Sequence, residues 1–165
     1  MNDNAKHTIS MLVNNKPGVL VRIAHVFARR NFNIDSLVVS PTTNEKFSSM
    51  TIACSGAPET LDQIIKQVAK LVDVVHSQEH NPEDSLSREL ALFKIQFKSE
   101  QRTELLQIVE HFKGETIDFT MNSMVIQVTG TSEKLDSMET LLQNYNLIEM
   151  IRTGKIVITK GEQQT

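Results

Sequence analysis

The sequence predicts an α+β protein built from two consecutive β-α-β-β-α-β units, and three observations carry that expectation. Runs of alternating apolar and polar residues, the pattern of strands, are interspersed with runs whose apolar residues recur at helical spacing, in the order strand, helix, strand, strand, helix, strand. After a polar interval at 79–87 the same order begins again. The 165 residues, 39% of them hydrophobic, are enough for two small cores. The expected organisation is a first unit at 1–78, a linker at 79–87 and a second unit at 88–165.

In the first unit, 7–13 alternates as a strand, with Ile9, Met11 and Val13 set against Thr8, Ser10 and Leu12. Residues 17–30 read as a helix whose stripe is Leu20, Ile23, Ala24 and Phe27. Pro17 is placed at its first turn, where a fixed φ and a missing N–H do no harm, and Arg29 and Arg30 complement the dipole at its end. A second strand at 31–40 and a third at 47–53 flank the turn Pro41-Thr42-Thr43-Asn44-Glu45. A second helix covers 58–71 with Leu61, Ile64, Ile65, Val68 and Leu71, and a strand at 72–77 closes the unit. The interval 79–87 is rich in charge and carries Pro82, which reads as a linker.

The second unit repeats the order. A strand at 89–97 is followed by a helix at 100–112, with Ser99 as N-cap, Gly114 as the residue ending it, and Leu105, Leu106, Ile108, Val109 and Phe112 on one face. A hairpin at 115–120 and 124–129 precedes a helix at 132–145 showing Leu135, Met138, Leu141, Leu142 and Tyr145. Residues 147–152 and 155–159 supply the closing strands, and 161–165 is a tail. Each unit should form a four-stranded antiparallel sheet with both helices on one face. The other face would be bare, and in the first unit that face and an edge strand predict pairing with a second copy of the chain.

Composition excludes several function classes. Seventeen basic and 20 acidic residues leave a net charge of -3, without the basic field that nucleic acid or an anionic membrane surface requires. With one Tyr and no Trp, stacking of RNA bases on the sheet is poorly supported. No apolar run approaches the ~18 to 20 residues of a membrane span. The polar stretch 1–6 carries no signal-peptide core, so a cytoplasmic protein is expected. Cys54 is the single cysteine, which rules out an intrachain disulfide and suits a buried, inert thiol in a reducing compartment.

No catalytic constellation assembles from the residues. Cys54 has no histidine near it in sequence. His76 and His80, four apart, are two ligands, and two do not make a metal site. His25 and His111 fall on polar helix positions, the latter suited to a helix C-terminus. Phosphate-loop and dinucleotide glycine patterns are missing. What stands out is the strand-to-helix junction Asn14-Asn15-Lys16-Pro17-Gly18-Val19-Leu20. Gly18 is placed within the first helical turn, where glycine is unfavourable by ~1 kcal/mol. Its missing Cβ would let a ligand approach the backbone, and free N–H groups at a helix start can hold a carboxylate. Asn15 and Asn33 offer donors and acceptors to an amino acid's two charged groups. On local chemistry alone, an ordinary turn rich in Asn, Pro and Gly is favoured.

The whole chain changes that reading. Residues 7–23, with Asn14-Asn15-Lys16-Pro17-Gly18-Val19-Leu20 at their centre, resemble the opening of an ACT domain, the amino-acid-sensing module. Phe27-Ala28-Arg29-Arg30-Asn31-Phe32-Asn33-Ile34-Asp35-Ser36-Leu37, Ser49-Met50-Thr51-Ile52 and the stretch 63–75 extend the likeness to the small regulatory subunits of acetohydroxyacid (acetolactate) synthase. Arg88-Glu89-Leu90-Ala91-Leu92-Phe93-Lys94-Ile95 and Thr129-Gly130-Thr131-Ser132-Glu133-Lys134-Leu135-Asp136 agree in the second half. The family pattern has Gly where this chain has Asn31, a mild departure because Asn tolerates the left-handed conformation.

The resemblance implies two ferredoxin-like units, the first an ACT domain that dimerises side by side and binds valine at the subunit interface. The effector-binding set it implies is Asn15, Lys16, Pro17, Gly18, Val19 and Leu20 from one subunit, with Asn33 and Ile34 from the other. It further implies a large catalytic subunit carrying thiamine diphosphate, Mg²⁺ and FAD, with no cofactor in this chain. That partner condenses pyruvate with pyruvate or 2-oxobutyrate in branched-chain amino-acid synthesis, isoleucine included. The small subunit stimulates it and confers feedback inhibition. Three other classes remain: an amino-acid-responsive transcription regulator, which lacks a helix-turn-helix here; a small enzyme, which lacks an acid–base pair; and a ligand-free scaffold.

Overall fold

The computed structural model describes residues 5–162 and 165, so the polar start at 1–4 and residues 163–164 of the tail lie outside the described residues. In chain order the elements are β1 (Ala5–Asn14), α1 (Val19–Arg29), β2 (Asn33–Pro41), β3 (Phe47–Gly56), α2 (Pro58–Val68), β4 (Val74–Glu79), β5 (Ser85–Gln96), a 3-10 turn (Ser99–Gln101), α3 (Arg102–His111), β6 (Glu115–Phe119), β7 (Ser123–Gly130), α4 (Ser132–Leu142), β8 (Asn146–Arg152) and β9 (Ile156–Thr159). They form two compact units, Met1–Ser87 together with Gly154–Thr165, and Arg88–Thr153. Both have the expected ferredoxin-like β-α-β-β-α-β topology.

The first sheet is antiparallel in the order β2-β3-β1-β4, which leaves β2 at an edge. Ile9, Met11 and Val13 of β1 lie level with Ile52, Met50 and Ser48 of β3, so one face of two central strands is almost wholly apolar. Against it pack Val19, Ile23 and Phe27 of α1, each four residues on, and Leu61, Ile64 and Val68 of α2, making a single core. Full burial of one such side chain contributes about 1.5 to 3 kcal/mol. Pro58 opens α2 at its first position, where its lost N–H has no helical partner to forgo. Asn31 takes φ 52° just past α1, the left-handed conformation that asparagine tolerates.

Four expectations for this unit need correction. Helix α1 starts at Val19, not Pro17, so the proline precedes the cap, Gly18, instead of occupying the first turn. The buried stripe accordingly begins at Val19, and Leu20 is 42% exposed. The interval 79–87 is not a linker throughout: β4 runs to Glu79 and β5 starts at Ser85, a buried residue whose hydroxyl donates to the Asn81 carbonyl at 2.7 Å. Finally, the face opposite the helices is not bare. The segment Gly154–Thr165 lies on it, from Gly154 beside Ser36 and Val38 of β2 to Thr159, whose hydroxyl accepts from the Gln78 amide of β4 at 3.4 Å. Ser10 and Thr51 in the middle of that face are 3% and 5% exposed, short side chains that leave room for a covering strand. The second unit therefore ends at Thr153 and not at 165, because the last residues return to the first.

The second unit has its own antiparallel order, β6-β7-β5-β8. Ala91, Phe93 and Ile95 of β5 and Met124, Ile126 and Val128 of β7 meet Leu105 and Val109 of α3 and Leu135, Met138 and Leu142 of α4. Lys98 caps the 3-10 turn in place of Ser99, its N–H donating to Gln101 Oε1 at 3.0 Å. The left-handed residue ending α3 is Lys113 at φ 51°, not Gly114. Gly114 serves a different purpose, since a Cβ there would lie 2.9 Å from Val128 Cγ2.

Candidate functional site

The β1–α1 junction is built by backbone hydrogen bonds to two neighbouring loops. The Asn14 N–H donates to the Asp73 carbonyl and the Asn15 N–H to the Lys46 carbonyl, both at 2.8 Å, and Asn15 Nδ2 reaches the Glu45 carbonyl at 3.0 Å. Asn15 is thus a brace between the junction and the β2–β3 turn. Asn15, Lys16, Pro17 and Gly18 are exposed, Val19 is buried, and Leu20 faces outward beside them. Gly18 caps α1 at φ 84° and ψ -10°, a left-handed conformation that side chains resist. This is the main reason for a glycine here, in place of the helix-interior argument from sequence. No side chain caps α1 and its first turn holds no acidic residue, so the positive pole of the helix is not offset from within.

Arg22 and Asp73 complete the junction, and the sequence reading did not single them out. Arg22 Nε and Nη2 donate to Asp73 Oδ2 at 3.0 and 2.6 Å, while Nη1 lies 3.1 Å from where a Gly18 Cβ would stand. The hydrogen bond from Arg22 holds the Asp73 carboxyl below its ordinary value. The only signal in sequence was Arg22 lying four residues after Gly18, one helical turn on.

Asn33 and Ile34 open β2. Asn33 is exposed and donates from Nδ2 to Asp35 Oδ1 at 2.6 Å, and Ile34 packs partly on the core. Their place in the sheet is far from the junction. Asn33 pairs with Ser55 of β3 whereas Asn14 pairs with Phe47, eight residues away (55 minus 47) along that strand. At about 3.3 Å per residue that is roughly 26 Å. Within one chain, the structure brings Asn15 to Leu20 together and leaves Asn33 and Ile34 at the opposite end.

Elsewhere the reactive residues are occupied structurally. Cys54 is buried on the core face of β3, and burial, reinforced by Asp35 and Glu79, pushes its thiol up to about 12. His7 Nδ1 pairs with Glu79 Oε1 at 2.7 Å, and His80 Nε2 lies 2.6 Å from Ser10 Oγ. His25 is exposed, and His111 stands in the last turn of α3. Among the described residues no three His, Cys, Asp or Glu side chains are grouped to hold a metal, and no helix is long and apolar enough to cross a membrane. In the second unit Glu89, 7% exposed, accepts from Arg152 Nε at 3.0 Å and from the Ser132 hydroxyl, and Arg152 also reaches Asp136.

Comparison with known proteins matches both halves. Residues 9–76 fit the family described as AHAS small subunit-like ACT domain, and residues 88–161 the family described as small subunit of acetolactate synthase. A probable acetolactate synthase small subunit of Archaeoglobus fulgidus is 38% identical over 159 residues, covering 96% of this chain and 99% of that one. The acetolactate synthase small subunit of Mycolicibacterium smegmatis is 38% identical, covering 97% and 94%. The crystal structure of the acetolactate synthase small subunit from Thermotoga maritima superposes with a TM-score of 0.87 at 37% identity, covering 96% and 99%. With its topology, its length and both of its halves accounted for by the same relatives, the chain belongs to the family of acetolactate synthase small subunits.

Proposed function

We propose that this chain is the regulatory subunit of an acetohydroxyacid synthase, binding L-valine between the ACT units of a homodimer and setting the activity of a thiamine-diphosphate-dependent large subunit. The large subunit would carry the thiamine diphosphate, Mg²⁺ and FAD. The observation that carries this reading is the uncapped α1 start at Gly18, combined with the edge position of β2. An edge strand offers its unpaired N–H and C=O groups to a second copy. Antiparallel pairing of β2 with itself about its central residue, Leu37, sets Asn33 opposite Pro41 of the copy. Pro41 pairs with Ser48, the neighbour of Phe47, which pairs with Asn14. Twofold pairing therefore carries Asn33 and Ile34 of one chain to the Asn15–Leu20 junction of the other, across the distance that one chain cannot bridge.

The chemistry suits an α-amino acid with a branched apolar side chain. Its carboxylate meets the N–H groups and positive pole of α1, its ammonium the amide oxygens of asparagine, and its side chain Leu20 and Ile34. Feedback inhibition then follows by linkage: valine favours one arrangement of the dimer, the large subunit is active with another, and inhibition is limited by the ratio of valine affinities for the two. Calorimetric titration with L-valine, with D-valine as control, tests the reading. Saturable binding of the L form alone, lost in Gly18→Asp and weakened in Asn33→Ala, is expected. Absence of binding both to the free chain and in the presence of the large subunit overturns it in favour of a ligand-free scaffold.

A further inference from the structure

We propose that Asp35 is a positioning residue of the effector site: it holds the Asn33 amide with its oxygen turned away from the strand, and so makes this end of the site read an ammonium group. The proposal rests on the valine-sensing reading and adds the residue that decides which of the ligand's two charged groups Asn33 meets. All of its parts lie in β2 and β3 of the first unit. Asn33 Nδ2 donates to Asp35 Oδ1 at 2.6 Å. The hydroxyl of Ser55, the residue of β3 that pairs with Asn33, donates to Asp35 Oδ2. Both oxygens of the carboxylate are therefore engaged. The register of β2 passes from Ile34 opposite Cys54 to Ser36 opposite Ala53, so Asp35 is an extra residue with no partner on β3. A bulge of this kind re-aims a side chain, and here it brings the carboxylate to Asn33 and Ser55.

Chemistry fixes the orientation of the amide. An ionised carboxylate only accepts hydrogen bonds, so the end of the Asn33 amide that faces it must be the NH2 group, and Oδ1 is left for another donor. Asp35 is exposed, and among the described residues no basic side chain is ion-paired with it, so its charge is not offset within the chain. Asn15 is held in the same sense. Its Nδ2 is committed to the Glu45 carbonyl, again a group that only accepts, which leaves Oδ1 for a ligand. The two asparagines that twofold pairing of β2 brings together thus both offer oxygen, beside an uncompensated negative charge. A carboxylate is repelled from such a place, whereas an ammonium, with its positive charge and three donors, satisfies both oxygens at once. The ligand is thereby divided between two ends: its carboxylate at the start of α1, its ammonium at Asn33 and Asp35. From the sequence either asparagine could serve either group; the hydrogen bonds of Asp35 and Glu45 remove that ambiguity.

The test is calorimetric titration of the full chain, together with its catalytic subunit, at neutral pH. The two ligands are L-valine and L-2-hydroxyisovalerate, which keeps the carboxylate and the side chain but carries a hydroxyl in place of the ammonium. Wild type is expected to bind L-valine about tenfold more tightly or better, the size of a hydrogen bond to a charged group. In Asp35→Ala the amide is released and the charge removed. L-Valine is expected to weaken about tenfold while the hydroxy acid stays within about threefold, so that the discrimination collapses. An unchanged ratio of the two affinities in Asp35→Ala overturns the proposal, whether both fall together, as a purely structural role would have it, or neither moves. Should that variant fail to fold, Asp35→Asn, which keeps the shape and loses the charge, decides in the same way, with a ratio reduced about threefold or more expected. Wild type that binds L-valine no better than the hydroxy acid also overturns the proposal and leaves the sensing reading standing. Wild type that binds neither ligand removes the sensing reading and the proposal together.

Discussion

Alanine at position 18 isolates the backbone contribution of the junction from any effect on ligand chemistry. The residue sits at φ 84°, where an L side chain costs about 1 to 2 kcal/mol. Part of this is offset because alanine restricts the unfolded chain more than glycine does, an effect of about 0.4 to 1 kcal/mol. The new Cβ would stand 3.1 Å from Arg22 Nη1, but that atom ends a flexible side chain that is half exposed and can give way. The net loss is about 1 kcal/mol. With a urea dependence of about 1 to 3 kcal/mol per molar, the unfolding midpoint should fall by roughly 0.3 to 1 M. Gly18→Asn should lose visibly less, since asparagine tolerates the left-handed region. Circular dichroism in urea reads the shift. The single tyrosine, Tyr145, packs on the second core, so its fluorescence follows the second unit and should barely move. Equal midpoints for wild type and Gly18→Ala, or an alanine variant more stable than the asparagine one, would refute the account of Gly18 as a left-handed cap.

Three other outcomes are expected. Cys54, buried with its thiol raised to about 12, should resist iodoacetamide at neutral pH and react fully in 6 M guanidinium, a concentration of about the size that unfolds small domains; mass spectrometry counts the adduct, and rapid labelling of native protein would show the β3 face to be open. His80 has a lowered pKa, chiefly through burial and then through His76. Its neutral form is favoured by folding, so its contribution is present above its ordinary value of 6.5 and is lost as pH falls from there through the folded value. Protonation also leaves Gln78 Nε2, 3.4 Å away, facing an N–H. The C-terminal segment should exchange its amide hydrogens faster at pH 5.5 than at 7.5 after correction for intrinsic rates, roughly a unit either side of the histidine range, and His80→Gln should abolish the difference. Glu89→Ala should strip the partly buried Arg152 of its main partner and leave the Ser132 hydroxyl without an acceptor. Since Arg152 keeps Asp136 and some exposure, the expected cost is roughly 2 to 3 kcal/mol, below the range for a fully buried pair, read from Tyr145 fluorescence in urea.

Much of this architecture is written in local patterns. Ile9, Met11 and Val13 announce the core face of β1 by alternation, and Leu61, Ile64 and Val68 that of α2 by helical spacing, because such burial is decided by the period of the element itself. The starting residue of α1 was less legible. Pro17 followed by an apolar run reads as a helix start, yet the left-handed Gly18 delays it by two residues, and a positive φ leaves no mark in periodicity. What a sequence read unit by unit hides altogether is contact between distant segments. Nothing near Ser10 or Thr51 indicates that residues more than a hundred positions later cover them. Likewise Asp73, in an apolar run beginning β4, gives no sign that Arg22 reaches it. Of the candidate site, the residue types were visible, whereas their split between two ends of one sheet is a property of the register of β3.

The return of the chain after Thr153 means that the boundary between the two sequence families and the boundary between the two folded units fall in different places. The matched segments meet between 76 and 88, which invites dividing the protein there. A fragment ending at Ser87 would lose the strand over Ser10 and Thr51 and present a slot lined by serine and threonine to solvent. A fragment beginning at Arg88 would carry that strand with nothing to lie on. Deletions from the C-terminus, which look like trimming of the second half, first unroof the first unit. An activity lost in such a deletion belongs to the first unit until the missing strand has been supplied again as a separate peptide.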